Sequence, residues 1–510
     1  MKKLSLLILG LCSGLLSAQT ADDVELFQLR NLHGTPRYTA MGGAFTALGN
    51  DFSAYSINPA SAAVNRYSDL GFTLGFNNRN GNYSNFYGQN GSENNFDLNF
   101  ENVGLNLILN PDDANRFSLA FSTTKLADFD RSFNLDGLNN TYTLGQYWAE
   151  SSAGQHIDNI SWDAYAAWQA YLLVSTNDTI DPDGFAYGQD DGNGNIIANS
   201  TLRYTFNQDG SFNETNIVMG LDQGGKVYYG LSFAFPTLSF RREEFITEYN
   251  LNTANPPYSA NQYTYRRLND IYANGFNMKF GFIYRPIPEL RIGASYQSPS
   301  WYTVNQFYES DVEANFNQEP YSGVGTATQS DILETGQYAY RLRTPAIYRA
   351  GVASVIGKFL ILSVDYYYQN QGNTQLYTNN NSFNISESLL QTDYQPGIDQ
   401  LYRNGRQTIS AGAEVRIKKI FLRGGYRYDE SVYGDDYQEN TVGAMQSVSC
   451  GLGYKSGPWS FDLAWINSSR DRTYALYRGV DQSNQSFEVL QDLDLTEVSN
   501  NIVAGVTLKF

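Results

Sequence analysis

Residues 447–468 read SVSCGLGYKSGPWSFDLAWINS. Val448, Cys450, Leu452 and Tyr454 make one apolar row, and Trp459, Phe461, Leu463 and Trp465 make a second. Lys455-Ser456-Gly457-Pro458 is a tight turn between them. An apolar residue at every second position marks a β-strand with two unlike faces, so the stretch predicts two antiparallel strands. Both have one greasy side, and Asp462 stands on the opposite face.

The same period recurs along the chain. Leu70-Phe72-Leu74-Phe76, Val227-Tyr229-Leu231-Phe233-Phe235, Phe276-Met278-Phe280-Phe282-Tyr284, Leu360-Leu362-Val364-Tyr366-Tyr368 and Ile409-Ala411-Ala413-Val415-Ile417 are each continuous apolar faces. Their opposite faces carry Lys279, Asp365, Glu414 and Arg416. About fourteen strands are expected, near 68–77, 97–110, 116–135, 213–222, 226–250, 262–285, 290–315, 338–356, 358–377, 406–418, 420–433, 444–455, 459–478 and 497–510. The joints alternate between tight turns, such as Asp222–Gly225, Arg285–Glu289 and Lys418-Lys419, and long loops rich in Asn, Gly and Asp, the largest at about 136–212. A soluble sandwich has shorter strands and no such alternation of joints. An all-β, even-stranded transmembrane barrel of the outer-membrane type has this rhythm, with short periplasmic turns, long extracellular loops and both termini in the periplasm.

Composition agrees. The 510 residues include 45 Gly, 39 Tyr and 30 Phe, only 17% are charged, and the mean hydropathy is -0.42. A helical membrane protein needs apolar runs of about 18 residues, whereas the longest run after the N-terminus, Val352–Val364, is broken by Lys358. A net charge of -18 makes nucleic acid an improbable partner.

The opening MKKLSLLILGLCSGLLSAQT has a basic start, an apolar stretch from Leu4 to Leu16 and Ser17-Ala18 before Gln19. It reads as a signal peptide over 1–18. Cys12 falls inside it, after Leu11, where a lipoprotein signal would have a small residue, so no lipid anchor is expected. Cys450 is then a lone cysteine, which excludes an internal disulfide and a cysteine metal site. At the other end Ile502, Ala504, Val506, Leu508 and Phe510 alternate up to a terminal aromatic. That resembles the signal by which the barrel assembly machinery recognises outer-membrane substrates.

Residues 19–67 have no strand alternation and contain MGGAFTALGNDFSAYSINPASAA. Gly42 and Gly43 permit positive φ or close backbone approach. Pro59 disfavours a helical conformation at Asn58, whose amide can close a turn, and Ala60 to Ala63 are small enough for a confined space. Gly42-Gly43, Asp51 and Asn58-Pro59-Ala60 resemble the N-terminal hatch of the FadL/TodX family of long-chain fatty acid and aromatic hydrocarbon transporters. The resemblance implies a fourteen-stranded barrel, residues 68–510, plugged by a hatch at 19–67. It also implies hydrophobic small-molecule cargo that moves by passive diffusion and leaves through a lateral gap in the wall, at a position the sequence does not reveal.

The segment NISWDAYAAWQAYLLVSTN, 159–177, is apolar all round if helical and so must be buried. Trp162, Tyr165, Ala166, Leu172 and Leu173 would share one face, with Trp168 on the other. In the related transporters such loop helices form a first groove for cargo, which makes Trp162, Tyr165, Trp168 and Leu172 candidate ligand contacts. Inside the barrel the strand phases point Lys279, Arg291, Arg349, Arg423 and Arg427 into the lumen, opposed by Asp365, Glu414 and Asp462. Arg423 and Arg427 are the candidates to hold an anionic head group.

No cofactor or metal site is expected. Asp181–Gly184 and Asp190–Asn195 lack the spacing and closing Glu of a calcium loop. With His33 and His156 the only histidines, a barrel enzyme has little to work with. The partners expected are hydrophobic cargo, outer-membrane lipid and, during biogenesis, the assembly machinery. The competing reading is a FadL-like structural or secretion-accessory barrel that binds protein partners, similar to a type IX secretion shuttle.

Overall fold

The computed structural model describes residues 23–109, 115–140, 142–157, 160–175, 185–187, 200–249, 251, 260–316, 328–357, 359–379, 390–434, 442–480 and 486–510. The expected signal peptide, residues 110–114, the Asp-rich segments around Asp181 and Asp190, and Asp435 lie outside them. No helix among the described residues is long and apolar enough to cross a membrane.

One antiparallel sheet closes on itself. Its strands are β1 (Asp69–Phe86), β2 (Gln89–Ile108), β3 (Asn115–Asp128, resumed at Arg131–Asn140), β4 (Ser200–Gln223), β5 (Val227–Tyr249), β6 (Ala260–Ile287), β7 (Leu290–Gln297, resumed at Ser300–Phe316), and β8 (Thr328–Thr344, continued as Ile347–Ile356). They continue with β9 (Leu360–Gln369 and Gln375–Thr378), β10 (Arg406–Ile417), β11 (Ile420–Asp429), β12 (Met445–Ser456), β13 (Trp459–Tyr474) and β14 (Leu493–Lys509). Each strand pairs with the next, and β1 pairs with β14 from Asp69↔Lys509 to Tyr83↔Leu495, so the barrel of fourteen strands has no free edge there. The eighteen segments of the sheet make fourteen strands because β3, β7, β8 and β9 are each broken once. Two breaks fall at Pro299 and Pro345, whose missing N–H ends a ladder.

The predicted phases hold. Leu70, Phe72, Phe76, Phe280, Phe282, Leu362, Val364, Trp459, Phe461, Leu463, Trp465 and Ile502 all face outward and are exposed in the isolated chain. Lys279, Asp365, Glu414 and Arg423 are buried inside. Tight turns sit at Gly224-Gly225, Gly357, Lys418-Lys419 and Gly457; Lys418 adopts φ 57°, the left-handed conformation such a two-residue turn needs.

Strand ends differ from expectation. β1 and β2 run as a hairpin to Phe86 and Gln89, and β3 and β4 reach Asn140 and Ser200, so the largest connection is shorter than 136–212. Beyond the apolar band the outward face of these strands turns polar. On β3 and β4 the apolar row moves to the inner face, where Phe133, Leu135, Leu202, Tyr204 and Phe206 are buried, so the phase that marks the membrane band no longer marks the strand. Asp429 ends β11 and is buried.

Candidate functional site

Residues 23–64 are almost entirely buried and pack against the inward faces of the strands. Their local folding follows from a few side chains. Thr35 caps α1 (Pro36–Ala40) by accepting from the Tyr38 N–H, with Pro36 at the first helical position, where its missing N–H costs nothing. Asp51 Oδ1 accepts from Thr35 Oγ1 at 2.7 Å and from the Ser53 N–H at 2.9 Å. Gly42 and Gly43 turn the chain at φ +63° and +77°, and a Cβ on Gly42 would meet the Tyr426 carbonyl at 2.7 Å. Asn58 holds the next bend. Its Oδ1 accepts from the Ala60 N–H at 3.0 Å, and its Nδ2 donates to Thr46 O at 2.6 Å and to Phe282 O on β6 at 3.3 Å.

The wall is shaped to receive this segment. A Cβ at Gly281 would overlap the Asn58 amide oxygen, one at Gly230 would overlap Pro59 and Ala60, and those at Gly293, Gly412 and Gly425 would strike Thr46-Ala47, Met41 and Gly42. These inward glycines let two backbones touch. Period-two alternation places these glycines on the inner face without telling what touches them.

Ion pairs tie the segment down. Arg37 Nε lies 3.0 Å from Glu414 Oε2, and the same carboxylate accepts from Arg423 at 2.7 Å. Arg423 also reaches Asp462 at 2.6 Å. His33 Nδ1 is 3.0 Å from Glu101 Oε2, Lys279 pairs with Glu214 and donates to Ser56 O at 2.8 Å, and the Thr46 N–H donates to Asp365 at 2.6 Å. Arg427 is shared between Asp429, at 2.7 Å, and Arg30 O, at 2.8 Å. Both predicted arginines thus lie in the lumen within internal networks. Arg349 stands apart: its Nη1 is buried with no hydrogen-bond partner among the described residues, and its guanidinium lies 5.1 Å from the centre of the Tyr367 ring. Arg30, Arg349 and Arg427 share a cavity of about 60 Å³ with Tyr38, Thr46 and Tyr367.

Toward the long loops the interior becomes apolar. One cluster gathers Phe27, Leu29, Leu126, Phe129, Phe212 and Tyr302 around the start of the N-terminal segment. A second, under the loops, contains Trp148, Tyr204, Phe206, Tyr263 and Tyr265 together with Ala164, Ala167, Ala170 and Leu172. The predicted loop helix is real but shorter. After α2 (Leu144–Ser151), α3 spans Trp162–Gln169, and Tyr171 at φ 58° ends it, so Leu172 and Leu173 are not on the helical face assigned to them. Leu172 is buried, the Tyr165 and Trp168 rings meet at its partly open side, tilted 49° with centroids 5.6 Å apart, and the Trp162 side chain lies outside the described residues. Asp163 accepts from the hydroxyls of Tyr265 and Tyr477, each at 2.8 Å, and burial raises its carboxyl.

The wall itself has a weak seam. β2 pairs with β3 only from Asn102↔Thr124 to Ile108↔Ser118, although β2 extends back to Gln89. Above that point side chains replace the ladder: Lys125 donates to Asn99 at 2.8 Å, and Asn95 and Ser132 exchange contacts of 2.7–3.2 Å. The break in β3 at Phe129-Asp130 lies at this seam, with Phe129 turned into the apolar cluster. Phe96 and Leu98, 68% and 62% exposed, face outward on the unpaired part of β2. No period in the sequence marks the seam, because it depends on register between strands. Among the described residues no three His, Cys, Asp or Glu side chains gather as a metal site.

An apolar outer surface, a closed sheet and a lumen filled by the chain's own N-terminal segment define a transmembrane β-barrel of the outer-membrane type. Its fold is FadL-like. The sequence matches no described protein-family profile and no curated protein. A crystal structure of a Pseudomonas aeruginosa FadL homologue superposes at a TM-score of 0.51, 12% identical over 94% of this chain and 99% of that one. The Pseudomonas putida toluene transporter TodX (0.49, 12% identity) and the Ralstonia pickettii toluene transporter TbuX (0.47, 15% identity) align over 94% of this chain and 99% of theirs.

Proposed function

We propose that the chain carries small hydrophobic or amphiphilic molecules, of the long-chain fatty acid or aromatic hydrocarbon class, across the outer membrane by passive diffusion, with residues 19–67 as the hatch. The observation that carries this reading is the aromatic filling of the outer part of the lumen. A porin's interior is polar and wet, whereas Phe27, Phe129, Phe212 and Tyr302 would hold an alkyl or aryl tail. In this reading the tight turns and both termini face the periplasm and the long loops face outward, with Tyr165 and Trp168 at the entrance. The cavity of about 60 Å³ is too small for a whole tail, so cargo movement requires the hatch to shift or the wall to yield.

The seam between β2 and β3 is the proposed lateral exit, since only side chains bridge it and Phe129 leads to it from within. An amphiphile's head group would rest at Arg349, whose Nη1 lacks a partner, while Arg423 keeps the hatch and wall together. The test is a reversible lock: Asn95→Cys with Ser132→Cys in a Cys450→Ser background. Uptake of labelled oleate by cells without a transporter of their own should fall when the pair is oxidised and recover on reduction. Equal uptake in both states would remove the seam from the path, and no uptake by the unaltered chain of either oleate or toluene would refute the transport reading.

A further inference from the structure

Arg341 and Arg343 lie two residues apart on β8 and point out of the barrel, alternating with the buried, inward Tyr340, Leu342 and Thr344. The register sets their neighbours. Arg343 stands between Trp301 of β7 and Gln375 of β9, and Arg341 between Thr303 and Tyr377. Side chains directly opposite on adjacent strands are about 5 Å apart, and the two guanidinium groups start about 7 Å apart along the strand.

Depth decides what they meet. From Ile356 at the tight turn, a tilted strand needs roughly nine to eleven residues to cross the hydrocarbon, which places Tyr348 near the far boundary and Arg343 and Arg341 just beyond it. Outward, exposed Tyr296, Tyr348 and Tyr368 lie in register across β7, β8 and β9, with Tyr366 two residues nearer the tight turns and Trp301 level with Arg343, as an aromatic girdle does at a membrane interface. The two arginines therefore sit at head-group height on the lipid side of the wall.

Among the described residues their charge has no acidic partner. The carboxylates nearest on that face of β7, Glu309 and Asp311, lie farther from the membrane and are held by Arg266. Outward arginines farther round the wall, on β6 and β5, face carboxylates: Arg266 also pairs with Glu243 at 2.8 Å, and Arg241 stands opposite Asp270. In a chain of net charge -18, an outward pair of arginines without acids is a distinct local reversal.

We propose that Arg341 and Arg343, with Trp301 and Tyr377, bind the phosphates of the phosphorylated glycolipid of the outer leaflet. Guanidinium forks match phosphate oxygens bidentately, and the aromatic row beneath receives the acyl chains. The proposal rests on the reading that the long connections face outward from the cell.

Native mass spectrometry of the detergent-purified full chain with added diphosphoryl lipid A tests it. The Arg341→Gln, Arg343→Gln double variant should retain about tenfold less lipid A. The unaltered chain should retain dephosphorylated lipid A and dioleoylphosphatidylglycerol equally weakly. Equal retention by the variant, or of phosphatidylglycerol and lipid A alike, would overturn the site. Both arginines are on the surface, so the variant should keep the heat-modifiable gel shift of a folded barrel, and its oleate uptake should be unchanged. Surface labelling of a Lys419→Cys variant on intact cells would reverse the orientation and overturn the lipid site while leaving the cargo reading standing.

Discussion

Arg37 and Arg423 converge on a single carboxylate, Glu414, from opposite directions: one from the N-terminal segment at 3.0 Å, the other from the wall at 2.7 Å. Glu414 is thus one point at which the lumen's contents and the barrel share charge. Breaking a buried pair leaves an uncompensated ion, a loss of about 3–5 kcal/mol. Glu414→Gln should therefore loosen residues 35–50 without opening the sheet. The expected outcome is faster hydrogen exchange in that segment and raised conductance in planar bilayers, with the folded-barrel gel shift retained.

Gly281 offers a steric version of the same experiment. Because its added Cβ would overlap the Asn58 amide, Gly281→Ala should displace the Asn58-Pro59-Ala60 bend, whereas at Gly81 the nearest atom would be Leu495 at 3.6 Å, an ordinary contact. Conductance should rise in Gly281→Ala toward that of a chain lacking Asp22 to Ala60, and stay at the unaltered level in Gly81→Ala. Equal conductance in the deletion and the unaltered chain would mean that the segment is not a plug.

Asp23 makes seating of the segment depend on pH. It accepts from Asn269 at 3.0 Å and Gln306 at 2.7 Å, near Arg242, yet burial dominates and lifts its carboxyl from 3.8 to about 6. The seated segment then binds a proton more readily than the released one. Seating is favoured below pH 4, weakens as the pH rises through about 6, and is level above that, a change of roughly a hundredfold across the window. Protease accessibility of residues 23–30 should follow this curve, and Asp23→Asn should flatten it.

Head-group recognition separates Arg349 from the paired arginines. Arg349→Gln should weaken binding of a long-chain fatty acid several-fold and leave a neutral hydrocarbon of similar length unaffected. Arg423→Gln with Arg427→Gln should instead reduce both through the loosened lumen. A selective loss in the second variant and none in the first would return the head group to Arg423 and Arg427.

The barrel was legible because every strand between Asp69 and Lys509 must show lipid one face and the lumen the other, and that demand writes a period of two. Gly42, Asn58 and Pro59 were legible as a confined bend for a related reason: few residues fit such backbone. Leu172 was misplaced because apolarity on all sides says buried without saying where a helix stops, and the positive φ at Tyr171 has no mark in its identity. Arg349 could not be told from Arg423, because inward phase is a property of one strand, whereas a partner is supplied by others. The glycine at 281 was readable in principle: a glycine on the lumen side of a long strand asks what touches it.

The shortened ladder between β2 and β3 bears on the bilayer as well as on cargo. Backbone groups along the open edge of β2, up to Glu101, have no strand to bond, and hydrocarbon offers them nothing. Phe96 and Leu98, on the same edge, nevertheless seek lipid. Counting roughly nine to eleven residues from Ile108, the last residue of β2, puts the far membrane boundary near Leu98. Most of this open edge therefore stands above the hydrocarbon, where water can bond it, and the outward side chains of Phe96 and Leu98 mark the height at which the lipid ends.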